Sequence, residues 1–167
     1  MLLLLWLCCG GALAAGHELT HLHFYFHEVN AGAPNATVVN VAGLHTVPRN
    51  ASTFGDVNVF DNALREGPET ASRLIGRAQG FAVGASLDDE SGGGYLTAIN
   101  FVFSDYGEYS GSALATQGHL SMGPSERSIV GGTGKLRFAR GYMTSRLLSS
   151  TDTAIVVVFD MYFTLAH

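Results

Sequence analysis

Cysteine is absent from every position beyond residue 9, the two in the chain being Cys8 and Cys9. That excludes a disulfide framework and leaves the fold to rest on its hydrophobic core. Lys and Arg are absent from the first 48 positions, Arg49 being the first. A formal net charge of −5 over 167 residues offers no positive footprint for nucleic acid or anionic lipid. Beyond the first residues no run is apolar for long enough to cross a bilayer as a helix. No stretch shows the 3.6-residue periodicity of an amphipathic helix, and no repeat of fixed period is visible.

What is present begins with MLLLLWLCCGGALAA, Met1 to Ala15, an apolar run too short to span a bilayer comfortably and ending in the small residues Ala12, Ala14 and Ala15. It reads as a secretory signal peptide despite its lack of a positive n-region, with cleavage expected near Ala14 to Gly16. Cleavage would remove both cysteines and the single tryptophan, Trp6. Residues 16–167 remain as one domain, and 47% hydrophobic content supplies a sizeable core. Two N-x-S/T sequons, at Asn35 and Asn50, agree with a secretory route, since both lie among turn residues where a glycan is tolerated.

From Leu19 the pattern has period two. Leu22, Phe24, Phe26 and Glu28 share one face, and His21, His23, Tyr25 and His27 share the other. Further strand patterns begin at Thr37, Phe54, Ser72, Tyr95, Tyr109 and Thr153, separated by turns rich in Gly, Pro, Asn and Asp. Within Ser72 to Val83 one face holds Leu74, Gly76, Ala78, Gly80 and Ala82. So bare a face suits strong curvature or the close approach of another group. The stretch SIVGGTGKLRFARGY, Ser128 to Tyr142, joins two apolar runs through a glycine turn. Alternation beyond that turn predicts Leu136, Phe138, Arg140 and Tyr142 on one face, with Lys135, Arg137, Ala139 and Gly141 on the other. The expected fold is all-β, a single eight-stranded antiparallel β-barrel with a central cavity. Closure removes exposed edges, and eight strands leave room for one small ligand.

Charged groups on apolar strand faces are the candidate site residues: Arg140, Glu28, Asp61 and Asp160. A buried charge needs a partner or a wet cavity, so each marks either a pocket lining or a strand end in water. His21-x-His23, with His27 and Glu28, has the spacing of the first metal motif of cupin barrels, and imidazole with carboxylate suits iron, zinc or manganese. The second cupin motif, a Pro-x-Gly with a further histidine, is missing, so no metal is assigned. Gly134-Lys135 lacks the earlier glycine and the following Ser/Thr of a phosphate-binding loop, and Ser112 does not stand in a G-x-S-x-G elbow.

Six motifs occur in a fixed order: His23-Phe-Tyr-Phe-His27-Glu28, Ala33-Pro-Asn-Ala-Thr37, Asp61-Asn62 with Glu66-Gly-Pro68, Gly76-Arg-Ala-Gln-Gly-Phe81, Val130-Gly-Gly-Thr-Gly134 and Ala139-Arg-Gly-Tyr142. With them the chain resembles the plant dirigent proteins over essentially all of residues 16–167. The resemblance implies a secreted, glycosylated barrel of the apoplast or cell wall that self-associates, as a dimer or trimer, around a pocket for phenylpropanoid intermediates. It implies no cofactor and no oxidising centre. A separate oxidase, a laccase or peroxidase, makes the phenoxy radical, and the barrel imposes the stereochemistry of coupling.

Carried onto this sequence, Glu28 stands where the family usually has Asp in a His-Asp pair, and Arg140 stands at the arginine of Ala-Arg-Gly. These two are the expected catalytic groups. Lys135 departs from the lignan-forming pattern, which has Asp after Gly-Thr-Gly, and a cation there cannot accept a proton. The sequence is thus more similar to the dirigent-like branch, which includes members that close a ring from a quinone methide to give pterocarpans. Phe24, Phe26, Phe101, Phe103, Phe138 and Tyr142 are candidate walls, with Lys135 at the rim. The same aromatics suit an ordinary barrel core. The expected function is stereoselective coupling of phenolic radicals, with quinone-methide cyclisation as the alternative. Two other classes stay open, a non-catalytic cell-wall binding protein and a metal-dependent barrel enzyme.

Overall fold

The computed structural model describes residues 19–43, 54–87, 94–121 and 123–165. The expected leader and the second sequon asparagine, Asn50, lie outside the described residues. Nine strands form: β1 (Thr20–Val29), β2 (Val38–Ala42), β3 (Val57–Arg65), β4 (Leu74–Gly84), β5 (Tyr95–Phe103), β6 (Ala113–Leu120), β7 (Ser125–Thr133), β8 (Ala139–Ser150) and β9 (Ala154–Leu165). They pair antiparallel in the order β1-β9-β8-β7-β6-β5-β4-β3, and β1 pairs back onto β3 to close eight of them into a barrel. The ninth, β2, lies outside the closure on the edge of β3. Val57–Phe60 of β3 faces β2, whereas Ala63–Arg65 faces β1.

Alternation fixes what each strand buries. In β1 the side chains of Leu22, Phe24 and Phe26 point inward and are buried, while His21 and His23 are exposed. Phe24 is the hub of an aromatic cluster, its ring centroid 5.7 Å from those of Phe101 and Phe103 and 6.2 Å from that of Phe159. Such pairs contribute about 0.5–1.5 kcal/mol each beyond their burial. Phe101, Phe103, Leu114, Leu136, Met161 and Phe163 complete this packing and fill one end of the barrel.

The bare face of β4 has a reason in that packing. A Cβ on Gly76 would sit 2.2 Å from the Val102 carbonyl oxygen, and one on Gly80 would sit 2.3 Å from that of Ala98. Both oxygens belong to β5, so the two strands approach more closely than a side chain permits.

The glycine turn overturns one expectation. Gly134–Leu136 forms a 3-10 turn, Gly134 has φ +60, and Phe138 has φ +65 before β8 begins at Ala139. These residues break the alternation assumed across them. Leu136 and Ala139 are buried, whereas Phe138, Arg140 and Tyr142 lie on the outer surface. Leu136 therefore does not share a face with Phe138, Arg140 and Tyr142.

Candidate functional site

The end of the barrel opposite the aromatic plug holds a cavity of about 500 Å³, lined among others by Phe26, Glu28, Phe60, Thr97, Ile99, Arg127, Ser145, Val157 and Phe159. A space of this size suits one small organic ligand. Its position follows from the chain pattern. At the C-terminal end of β1 the inward sequence passes from Phe26 to Glu28, and at the start of β7 it runs Ser125, Arg127, Ile129. Polar side chains at these strand ends replace the apolar ones that fill the other half.

Glu28 is held by a directed chain of hydrogen bonds. The Val29 backbone N–H donates to Thr37 Oγ1 at 2.9 Å. The Thr37 hydroxyl then donates to Asn62 Oδ1, which turns the amide so that Asn62 Nδ2 donates to Glu28 Oε2 at 2.8 Å. Asn62 is fully buried on β3. Burial pushes the Glu28 carboxyl above its ordinary value, and the Asn62 hydrogen bond opposes part of that rise. The group is thus kept near the apolar wall as an acid that ionises late and, once ionised, as a strengthened base.

Arg127 is the second charged group of the cavity and was not foreseen. It is 4% exposed. Its Nη2 donates to Ser145 Oγ at 2.6 Å and its Nη1 to Thr97 Oγ1 at 3.3 Å, while Nε has no partner among the described residues. Its Cζ lies 5.5 Å from the centroid of the Phe159 ring, close enough for cation–π attraction. Desolvation lowers its pKa to about 10. No ion pair engages it among the described residues. A buried cation with no anion beside it is costly, and in the lining of a cavity it also attracts negative charge developing on a ligand.

Of the residues singled out from the sequence, Glu28 and Phe26 line this cavity. Phe24, Phe101 and Phe103 are fully buried in the plug. Arg140 points outward, with Nη1 donating to the Ala139 carbonyl at 2.9 Å, so it does not meet Glu28. The expectation that these two share a pocket is corrected by the 3-10 turn described above. Lys135 is exposed in that turn, its backbone N–H donating to Ser112 Oγ at 3.0 Å. Phe138 and Tyr142 are on the outer face, and Asn35 is exposed in the β1–β2 loop. The histidine set is also divided: His27 Nε2 bonds the Gly67 carbonyl at 3.1 Å, whereas His21 and His23 both contact Asp160. The signal for Arg127 was present in the sequence, since Ser125, Arg127 and Ile129 alternate one strand before the glycine turn.

Comparison with known proteins matches residues 19–164 to the family model described as dirigent-like protein. Dirigent protein 11 of Arabidopsis thaliana is 39% identical over 147 residues, covering 87% of this chain and 74% of that protein. Pterocarpan synthase 1 of Glycyrrhiza echinata is 38% identical over 150 residues, covering 87% and 77%. A solved pterocarpan synthase dirigent protein superimposes with a TM-score of 0.78 at 35% identity, covering 90% of this chain and 93% of that one. With its closed barrel, its single-ended cavity and these relatives, the chain belongs to the dirigent family, in its dirigent-like branch.

Proposed function

We propose that this protein binds a phenylpropanoid-derived quinone methide in the cavity and fixes the face on which an internal hydroxyl closes a ring. The observation that carries this reading is the presence of a carboxyl group, Glu28, and a guanidinium, Arg127, in the lining of one cavity. Dirigent-family proteins act on phenolic radicals or quinone methides, and relatives named pterocarpan synthase are 38% and 35% identical to this chain over the aligned residues.

The chemistry balances without an oxidant in the ring-closing step. The hydroxyl oxygen attacks the methide carbon and forms the C–O bond, and its proton passes to the Glu28 carboxylate. The electron pair of the methide double bond moves through the ring to the carbonyl oxygen, which becomes a phenolate. The Arg127 guanidinium in the cavity lining donates to that oxygen, and the proton taken up by Glu28 is then given back to produce the phenol. Stabilising a developing oxyanion by one preorganised donor contributes about 10²–10³ in rate. Holding the ring against Phe26, Phe60 and Phe159 supplies the rest by positioning. When the methide forms from a benzylic alcohol, protonated Glu28 can deliver the proton that leaves with water. When it forms by oxidation, a separate oxidase supplies it. Radical coupling has less use for an acid–base group, because two radicals join without proton transfer. We propose in addition that the chain is secreted to the apoplast, in keeping with its Met1 to Ala15 leader and sequons.

The test is incubation of the purified protein with a benzylic-alcohol precursor of a quinone methide, followed by chiral chromatography of the ring-closed product. One enantiomer should predominate, and both Glu28→Gln and Arg127→Met should return the product to racemic. Enantiomeric excess seen only with coniferyl alcohol plus a one-electron oxidant would instead assign radical coupling. Ligand binding with a racemic product in both assays would leave a binding protein.

A further inference from the structure

On the outer wall, away from the cavity, the geometry points to a binding site for a divalent late first-row metal ion, Zn²⁺ by preference, formed by His21, His23 and Asp160. The two histidines alternate outward on β1, and the register sets Asp160 of β9 directly opposite His23, with Tyr162 opposite His21. Asp160 Oδ1 lies 2.8 Å from His21 Nε2 and 2.8 Å from His23 Nδ1. All three donor atoms fall within 4.8 Å of one another. Tetrahedral zinc with bonds of about 2.0–2.1 Å requires donors roughly 3.3 Å apart, so small side-chain movements bring these three to the ion. Two imidazoles and one carboxylate form a donor set that zinc and copper favour, and the exposed side leaves the fourth position to water.

The rings are already oriented. Tyr162 stacks on His21 at 4.5 Å with 3° between planes, and Tyr142 stacks on Tyr162 at 5.2 Å. The His23 ring sits edge-on to Tyr25 at 5.2 Å, with its Nε2 3.3 Å from the Tyr25 hydroxyl oxygen. That contact leaves Nδ1 as the metal-facing nitrogen and gives Nε2 an outer partner, the usual arrangement behind a ligating histidine. Without metal, both histidines compete for one carboxylate oxygen. A cation replaces two ring protons there and joins β1 to β9 from outside. The site does not depend on the chemistry proposed for the cavity.

The experiment is titration of the tag-free, chelator-stripped protein with Zn²⁺ by calorimetry, together with thermal unfolding and Cu²⁺ electron paramagnetic resonance. One ion per chain is expected. At a hundredfold excess over Kd the Tm should rise by roughly 5–10 °C, and the copper spectrum should show two nitrogen ligands. His21→Ala, His23→Ala and Asp160→Asn alter exposed or half-exposed side chains, so the fold persists, and each should weaken binding about tenfold or more. His27→Ala should leave it unchanged, because His27 is engaged with Gly67. Absence of binding heat, or binding that survives His23→Ala or disappears in His27→Ala, would overturn the proposal.

Discussion

At the scale of single residues the cavity is defined by two charges that the fold does not pair. Among the described residues Arg127 has no counter-ion and its Nε–H no partner, so it costs stability that an apolar side chain of similar length would not. Arg127→Met is therefore expected to stabilise the protein by about 1 kcal/mol or more, as read by urea unfolding, while removing stereocontrol. A gain in stability with a loss of selectivity identifies a functional charge; a loss of both would identify a structural one. Glu28 supplies a pH signature. Its carboxyl ordinarily titrates near 4.5, and burial raises that value in the folded chain. Between the two values the folded chain holds more protons than the unfolded chain, so stability falls as pH rises through that window. Glu28→Gln removes the fall and keeps an acceptor for Asn62. The variant should match wild type below about pH 4 and exceed it at neutral pH.

At the scale of elements, the β1–β2 loop ties the site to the surface. Thr37 is both the third residue of the Asn35 sequon and the donor that aims Asn62 at Glu28. On the proposal that Asn35 is glycosylated, Thr37→Val should abolish that modification and loosen Glu28 together, Asn35→Gln should abolish the modification alone, and Thr37→Ser should keep both. Peptide mapping of plant-expressed protein and the product enantiomeric ratio separate the three. The β4–β5 pair makes a second prediction. Gly76→Ala places a Cβ against the Val102 carbonyl, and forcing the strands apart should cost about 1–3 kcal/mol, measured as a lowered denaturation midpoint. Much of this level was legible in the sequence: the faces of β1 and the bare face of β4 follow directly from period-two alternation. The β8 faces were not, because a 3-10 turn and one left-handed residue, Phe138, reset the phase within five positions.

At the scale of the whole molecule the barrel is closed by its shortest seam. β1 meets β3 through three residue pairs, Tyr25 with Arg65, Phe26 with Leu64 and His27 with Ala63, whereas β1 meets β9 through ten. The Asn62 to Glu28 hydrogen bond crosses that same seam, since Asn62 belongs to β3 and Glu28 to β1. Local opening should begin there. Native-state hydrogen exchange is expected to show lower protection at the β1–β3 contact than at β8–β9, a further drop in Asn62→Ala, and recovery when a ligand fills the cavity. Equal protection around the barrel would refute a weak seam.

Residue order alone was enough for the all-β class, the inward set of β1, Glu28 as a polar group at the end of an apolar face and, through six ordered motifs, the family. Those features are local: they depend on alternation and on residues close in the chain. That Glu28 and Arg127 line one cavity was decided by the assembled barrel, because β1 and β7 are far apart in the chain and no local pattern brings them together. The pairing of His21 and His23 with Asp160 was likewise decided there, since it joins residues 139 and 137 positions apart. Only the long-range pairing of β1 with β9 brings the first strand beside the last, and no local pattern encodes the register in which they meet.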